Sequence, residues 1–212
     1  IGEEIIRSFG CVPSFLNYNG YPASICVSIN EEVVHGIPNE KRIIQEDDIV
    51  SLDAGVIYKG YHSDAARTLI MPAVPDSVKK LVEVTKQSFF EGIKQAVAGN
   101  HIVDIGRAVQ KYAESYGYSV VRDLVGHGVG SKLHEEPEVP NFAGLRRGMK
   151  LRAGMTIAVE PMINMGVKEV YWEDDDWTVV TADLMPSAHY ENTILITDGE
   201  PEILSQAPGI AL

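Results

Sequence analysis

Residues 49–70, IVSLDAGVIYKGYHSDAARTLI, constrain the fold of this chain more than any other stretch. Their branched and aromatic side chains favour β-strand, and Lys59-Gly60 supplies the residues of a tight two-residue turn. The pattern predicts a hairpin in which Tyr58 pairs with Tyr61. Such a pairing fixes the register of every other pair along the two strands.

The predicted register brings two aspartates together. Asp53 lies opposite Ala66, and Asp64 lies opposite Gly55. The two carboxylates then share one face as diagonal neighbours, with Cβ atoms roughly 6–8 Å apart. Two carboxylates on an apolar-flanked face repel each other and lose hydration unless a cation lies between them. The hairpin therefore predicts one or two divalent metal ions, while two surface acids on a wet hairpin remain the alternative.

Charge and hydropathy limit the classes of function. The chain has 212 residues and a net charge of −12, a length that suits one domain with a sizeable core. The acidic balance argues against a nucleic-acid partner held by a basic face, and it is compatible with a positively charged substrate such as a free peptide amino group. We find no apolar run as long as a membrane span and no signal peptide, so we expect no membrane partner.

Cysteine usage points to the compartment. Cys11 and Cys26 are the only cysteines, which is too few for a disulfide scaffold. We therefore expect reduced thiols and a cytoplasmic protein. The chain starts at Ile1, part-way through what is predicted as a helix, so we expect that residues upstream of it are missing.

The remaining pattern predicts strands, then two helices in succession, then further strands. The first helix opens with Asp76 as its N-cap and ends at Gly99-Asn100, and the second covers about residues 103–116, with the apolar face including Tyr112 and Tyr116 in the core. Strands are predicted at 23–29, 30–38, 118–121, 155–160, 177–181 and 189–197, and an acidic, solvated hairpin turn at 169–176. This order predicts an α+β fold with a curved antiparallel sheet and helices on its outer face.

Five residues on or beside predicted strands form a candidate metal-binding set: Asp53, Asp64, His127, Glu160 and Glu191. Four carboxylates and one imidazole suit two divalent ions with bridging carboxylates. The glycines on both sides of His127 let the backbone approach another segment closely. The spacing of the histidines excludes the HExxH pattern of a helical zinc site. No member of the set is specific by itself.

The surrounding motifs are specific as a set. LDAG, HSDAART, GHGVG, LHEEP, VEPMIN and AHYENT occur in this order. Together they closely resemble the signature stretches of type I bacterial methionine aminopeptidases. The resemblance runs from about Tyr18 to Leu204, which is nearly the whole chain.

The resemblance implies the pita-bread fold, in which two pseudo-symmetric α+β halves surround a central cleft. It implies Asp53 as a terminal ligand of one metal and His127 and Glu160 as ligands of the other. Asp64 and Glu191 would bridge the two ions, which the ligand types allow to be manganese, iron, cobalt or zinc. The whole chain, residues 1–212, is then expected to be one catalytic metallopeptidase domain.

The resemblance also implies an activity, removal of the N-terminal methionine before a small second residue. His35, His134 and Glu160 would be the catalytic residues. The methionine pocket would consist of Phe15, Tyr18, Tyr21, Cys26, His35, Leu133, His134 and Trp177. Asn30 and Ser187 match a monovalent-cation site beside the cleft. The expected partners are peptide or nascent-chain N-termini and a transient ribosome contact, for an enzyme that acts as a monomer.

Three features depart from the family pattern. Leu133 stands where phenylalanine is common, which predicts a wider or less aromatic pocket rim. The acidic run at 173–176 replaces a turn that is often basic. The helical segment that the family normally has upstream of Ile1 is not in this sequence.

Three other interpretations share the fold. An Xaa-Pro peptidase uses the same ligand set but usually carries an extra N-terminal domain, for which this chain has no room. A non-catalytic binding protein or a metal-free creatinase-like hydrolase would be expected to lack ligands, whereas all five candidates are present. Metal content and turnover of Met-Ala, Xaa-Pro and creatine discriminate among these classes.

Overall fold

The computed structural model describes residues 1–206. In this range the helices are α1 (Gly2–Ser8), α2 (Asp76–Ile93) and α3 (Ile102–Ser115), with a 3₁₀ turn at Tyr18–Gly20. The strands are β1 (Val12–Pro13), β2 (Cys26–Ile29), β3 (Glu32–Val34), β4 (Ile49–Tyr58), β5 (Tyr61–Ile70), β6 (Ser119–Val120), β7 (Gly126–Gly128), β8 (Glu135–Val139), β9 (Thr156–Val159), β10 (Met162–Asn164), β11 (Val170–Trp172), β12 (Val179–Thr181), β13 (Ser187–His189), β14 (Asn192–Leu195) and β15 (Glu202–Ile203). The last part of the predicted domain, residues 207–212, lies outside the described residues.

The β4–β5 hairpin has the predicted register. Tyr58 pairs with Tyr61, and the pairing continues without interruption to Asp53 opposite Ala66. The turn residue Lys59 adopts a positive φ of 51°, as a two-residue hairpin turn of this kind demands. The prediction of this element from the sequence is confirmed.

The strands form four small antiparallel sheets rather than one continuous curved sheet. Their orders are β1-β4-β2 with β5 on β4, β13-β10-β6, β11-β12-β3, and β15-β14-β9-β7-β8. The strands after β5 are short, because register shifts and loops interrupt them. The mixed α/β architecture with helices to one side is the one expected.

The helices pack against the strands on the side away from the central cavity. Phe89 of α2 and Ile105 of α3 share a buried apolar cluster with Ile157 of β9 and Ile194 of β14. The residues that line the main cavity come from strands and loops, with none from α2 or α3. The helical layer thus supports the strands that carry the site. No described helix is long and apolar enough to cross a membrane.

Several local predictions were wrong. Pro75, not Asp76, is the N-cap of α2, because proline already fixes the φ needed at the helix entrance, and the helix ends at Ile93, before Gly99. Tyr116 is 46% exposed, so it belongs to the surface and not the core. Tyr116 is the C-cap of α3, and Gly117 turns the chain there with a φ of 83°.

The predicted strand at 189–197 is two strands. β13 ends at His189 and β14 begins at Asn192, so Glu191 lies in the break between them. Tyr190 forms an isolated bridge with Arg67 on β5 at this point. The chain leaves one sheet here and joins another. The apolar pattern of residues 189–197 does not reveal this change of sheet.

Candidate active site

The two hairpin aspartates line a cavity with a volume of about 440 Å³. Asp53 on β4 and Asp64 on β5 are both buried. Thr193 holds the Asp64 backbone from β14, since its Oγ1 accepts from Asp64 N at 2.8 Å and donates to Asp64 O at 3.0 Å. The hairpin is therefore fixed to the opposite half of the molecule at the metal-binding candidate itself.

His127 projects into the same cavity from β7. A Cβ on Gly126 would come within 2.3 Å of Ala158 O, and one on Gly128 within 2.3 Å of Glu136 O, so the neighbouring strands leave room only for glycine. His127 Nδ1 donates to Gly128 O at 2.9 Å, because a carbonyl oxygen can only accept. The lone pair is thus on Nε2, as a metal ligand requires.

Glu160 and Glu191 lie at adjoining strand ends. Asn192 of β14 pairs with Val159 of β9, so the two glutamates are the next residues at that end of the ladder. Asn141 Nδ2 donates to the backbone carbonyl of Glu160 at 3.0 Å. The backbone of Glu191 is held in the same manner from the hairpin, as described next.

Arg67 joins the two halves at Glu191. Its Nη1 donates to Glu191 O at 2.5 Å and its Nη2 to Asn192 Oδ1 at 2.7 Å. The guanidinium carbon lies 4.3 Å from the centroid of the Tyr190 ring. Glu191 N donates to Ala66 O at 3.0 Å, which adds a backbone contact between the halves.

The carboxylates crowd one another. Burial, then repulsion by Asp64 and Glu160, raises the pKa of Asp53 well above its ordinary value. Burial, then repulsion by Asp64, likewise raises the pKa values of Glu160 and Glu191. Burial raises the pKa of Asp64 to about 7. A buried acidic cluster of this kind is costly until a cation compensates it.

The donors fit divalent metal ions. Ligand atoms of Asp64, His127 and Glu191 lie within 4.8 Å of one another. His127 Nε2 is 3.6 Å from Glu160 Oε1 and 4.0 Å from Asp64 Oδ2. Asp53 Oδ1 and Glu191 Oε1 are buried without a hydrogen-bond partner among the described residues. Carboxylate oxygens and one imidazole nitrogen are the ligands of hard to borderline divalent ions.

Two further histidines line the cavity outside this cluster. The His134 ring is 4.1 Å from that of His127, centroid to centroid, and its Nδ1 is 2.7 Å from Tyr18 Oη. Burial, then His62, lowers the pKa of His134. His35 follows β3 with a φ of 61°, a conformation unusual for a residue with a side chain. Burial, then His134, lowers its pKa to about 4.

The eight residues expected in the methionine pocket all line the same cavity: Phe15, Tyr18, Tyr21, Cys26, His35, Leu133, His134 and Trp177. Tyr21 and Trp177 meet edge to face at a centroid distance of 5.1 Å. Tyr21 Oη donates to Gly36 O at 3.0 Å, so the phenol is satisfied and the ring presents an apolar wall. Cys26 pairs with Asp53 across β2 and β4, which puts the pocket next to the carboxylates.

Cys26 and Cys11 are both free thiols. Cys26 is buried in the apolar cluster of Phe15, Tyr21 and Leu133. Leu133 is itself only 2% exposed, so it packs into the pocket wall and does not protrude from the rim.

The acidic turn before β12 has a structural role that its charge did not indicate. Its residues are exposed as expected. Asp175, however, accepts from Trp177 N at 2.8 Å and Thr178 N at 2.7 Å through Oδ1. This carboxylate holds the backbone that carries the Trp177 ring into the pocket.

The residues expected at a monovalent-cation site are close in space. Ser187 N donates to Asn30 O at 2.8 Å. The Asn30 side chain is engaged elsewhere, with Nδ2 donating to Asp48 Oδ1 at 2.7 Å. Ser187 Oγ donates to Asn164 Oδ1 at 2.8 Å. The role of the pair in cation binding stays a prediction.

Sequence reasoning missed several residues around the cavity. Val34, Leu124, Val125, Met162 and Asn19 also line it. The first four are apolar residues that pattern analysis assigns to any core. Arg67 and Thr193 stood inside the motifs HSDAART and AHYENT, but only the contact between hairpin and β14 reveals that they hold the carboxylates.

Comparison with known proteins agrees with this geometry. Residues 2–198 match the family described as metallopeptidase family M24. The methionine aminopeptidase of Clostridium acetobutylicum is 51% identical, over 97% of this chain and 82% of that protein. Methionine aminopeptidase 1 of Bacillus subtilis is 45% identical, over 97% and 83%. The crystal structure of the methionine aminopeptidase from Thermotoga maritima superposes with a TM-score of 0.94 at 44% identity, over 96% of this chain and 82% of that one.

The fold and the clustered donors define a pita-bread metallopeptidase, a hydrolase that works with divalent metal ions. The expected fold class is thereby confirmed. The chain belongs to metallopeptidase family M24, within its group of methionine aminopeptidases.

Proposed function

We propose that this chain removes the N-terminal methionine from peptides and nascent proteins, with two divalent metal ions at the carboxylate cluster and a preference for a small second residue. The curated relatives that carry this activity in their names support the methionine assignment. The size preference rests on the family resemblance. The proposal places the enzyme in the cytoplasm as one catalytic domain, in transient contact with ribosomes when nascent chains are the substrate. The proposed active form is a monomer.

The residues proposed to hold the metals are Asp53, Asp64, His127, Glu160 and Glu191. Their buried, mutually repelling carboxylates and the unpaired oxygens of Asp53 and Glu191 support this assignment. When bound, such ions supply Lewis-acid polarisation of a carbonyl and a water nucleophile available near neutral pH.

The chain's own residues supply the rest of the chemistry. Glu160, whose carboxylate lines the cavity, accepts the proton of the attacking water. In this proposal His134 is neutral, in keeping with its lowered pKa, and the Tyr18 hydroxyl 2.7 Å away is taken as the donor to its Nδ1. Its Nε2 therefore carries the proton and donates to the carbonyl oxygen as negative charge develops.

His35 and the pocket wall position the substrate. In this proposal His35, which lines the cavity, hydrogen-bonds the scissile amide nitrogen and assists the leaving amine. The apolar wall of Tyr21, Cys26 and Trp177 takes a long, flexible thioether, since sulfur–aromatic contacts contribute on the order of 1 kcal/mol each. A monovalent cation at Asn30 and Ser187 is part of the proposal, supported by their hydrogen bond beside β4.

One observation carries the proposal: an apolar, aromatic pocket and a four-carboxylate cluster open into the same cavity of about 440 Å³. The test is metal analysis of protein purified without chelators or added metal, followed by turnover of Met-Ala-Ser, Ala-Pro and creatine. We expect divalent metal in the purified protein and rapid release of methionine. Faster cleavage of Ala-Pro would assign the chain to the Xaa-Pro peptidases. A protein that binds metal but turns over none of the three would favour the binding-protein interpretation.

A further inference from the structure

His189 is a buried imidazole that the chemistry above does not use. Its side chain is 2% exposed, and neither Nδ1 nor Nε2 has a hydrogen-bond partner among the described residues. Buried polar atoms are nearly always paired, and leaving them unpaired is costly. An apolar side chain of similar volume would fill the same space without that cost. A histidine at this position therefore calls for a hydrogen-bond partner that the described side chains do not supply in their present orientation.

The ring faces Glu160. His189 Nε2 lies 3.9 Å from Glu160 Oε2, while the other carboxylate oxygen, Oε1, lies 3.6 Å from His127 Nε2. Each of the two histidines thus lies next to a different oxygen of the Glu160 carboxylate. The gap on the His189 side is about 1 Å longer than a hydrogen bond.

The backbone fixes the ring in this place. His189 N donates to Thr68 Oγ1 at 2.9 Å, and the same hydroxyl donates to His189 O at 2.9 Å. His189 is also the pairing partner of Met162, which lines the main cavity from β10. Paired residues share a face of their sheet, so the His189 side chain lies on the same face as that of Met162, 3.9 Å from the Glu160 carboxylate.

We propose that His189 is the positioning residue of Glu160, donating from Nε2 to Glu160 Oε2, directly or through one water, in the metal-loaded enzyme. The inference rests on the proposed function in taking Glu160 as metal ligand and proton acceptor. With Oε2 held by His189, the carboxylate would keep the orientation in which Oε1 faces His127 and the other proposed metal ligands. Outer partners of this kind orient ligands, and their loss weakens metal binding or activity by roughly 10–100-fold.

The test compares three variants of the full chain. In His189→Gln the side-chain amide can reach the place of Nε2, in His189→Asn it falls short near Nδ1, and in His189→Met no donor remains. For each, the Kd of Mn²⁺ is measured by calorimetry after chelator treatment, together with the Tm of the metal-free protein and kcat and KM for Met-Ala-Ser.

We expect the Met variant to keep or raise the metal-free Tm, because two unpaired buried nitrogens are removed. Its Mn²⁺ Kd at the site containing Glu160 and its kcat should worsen by roughly 10–100-fold, with KM within about threefold of wild type. The Asn variant should behave like the Met variant in Kd and kcat. The Gln variant should stay within about threefold of wild type in both.

Wild-type Kd and kcat in the Met variant would overturn the proposal. A lower metal-free Tm in both the Met and Gln variants, with Mn²⁺ Kd unchanged, would assign His189 a purely structural role and overturn it too. The calorimetric measurement does not depend on the substrate. If the wild type fails to release methionine, the proposed function fails while the Mn²⁺ affinities still decide the role of His189.

Discussion

Tyr18 and His134, 116 positions apart in the sequence, are joined by a 2.7 Å contact between the phenol oxygen and the ring Nδ1. In the proposed mechanism the hydroxyl donates and the neutral imidazole accepts, which would fix the tautomer of His134 with its proton on Nε2. Tyr18→Phe should therefore lower kcat by about tenfold, the value of one hydrogen bond of about 1.4 kcal/mol. Steady-state kinetics with Met-Ala-Ser checks this, and an unchanged kcat would show that the tautomer is fixed by other means.

Substitution of His134 should lower kcat more than substitution of its hydrogen-bond partner Tyr18. His134→Ala removes a donor aimed at developing negative charge, so kcat should fall by roughly 10²–10³. Metal content, measured by elemental analysis, should stay at the wild-type value because His134 lies outside the carboxylate cluster. Loss of metal together with activity would make His134 a ligand instead, and an unchanged kcat would leave it a structural residue.

Metal loading should stabilise the fold, because it compensates buried carboxylates. At a free Mn²⁺ concentration of 100 times Kd, binding linkage should raise the free energy of unfolding by about 2.7 kcal/mol and the Tm by roughly 5–10 °C. In Asp53→Asn one of the repelling charges is removed, so the metal-free Tm should equal or exceed that of wild type and the rise on adding Mn²⁺ should shrink. Asp174→Asn, in the exposed turn, is the matched control. Differential scanning calorimetry with and without Mn²⁺ measures these Tm values. If Mn²⁺ raises the Tm of Asp53→Asn as much as that of the wild type, Asp53 is not a metal ligand.

The acidic turn should affect substrate binding through one carboxylate only. Asp175 holds the backbone amides of Trp177 and Thr178, so Asp175→Ala should let the indole shift from the pocket. The lost aromatic contact, about 0.5–1.5 kcal/mol, corresponds to a KM for Met-Ala-Ser that is about 3–10-fold higher. Asp174→Ala, which removes the same charge from the same exposed turn, should leave KM unchanged. Equal effects of the two variants would point to charge, not position, as the cause.

The pocket should select its first residue by polarity and shape. The wall formed by Phe15, Tyr21, Cys26, Leu133 and Trp177 is apolar, so Lys-Ala and Glu-Ala should be cleaved poorly, because burying a charge against such a wall without a partner costs several kcal/mol. Norleucine-Ala should lose only about tenfold relative to Met-Ala, the value of the sulfur contacts. Leu-Ala should have a lower kcat/KM than norleucine-Ala, since the branched leucine side chain meets the rigid rings of Tyr21 and Trp177. The measurement is kcat/KM across this series, and a Lys-Ala value equal to that of Met-Ala would contradict the methionine assignment.

The central hairpin and the identity of the candidate site residues could be read from the sequence. The hairpin is local: a two-residue turn and strand periodicity fix every pair from Tyr58–Tyr61 to Ile49–Ile70, so the positions of Asp53 and Asp64 on one face followed directly. The motifs supplied the remaining candidates as well as the family. Boundaries were less certain, as the early end of α2 at Ile93 and the exposure of Tyr116 show.

The contacts between segments distant in the chain were decided by the tertiary structure alone. Glu191 lies at a break between β13 and β14 because the chain changes sheets there, and Arg67 and Ala66 hold it from the hairpin. The Tyr18–His134 contact, the link from Asp175 to Trp177 and the place of His189 behind Glu160 likewise depend on packing. Periodicity reports which face of an element is apolar, because burial is averaged along that element. Periodicity carries no information on which side chains of different elements come into contact. Those contacts determine each pKa, tautomer and hydrogen bond of the site.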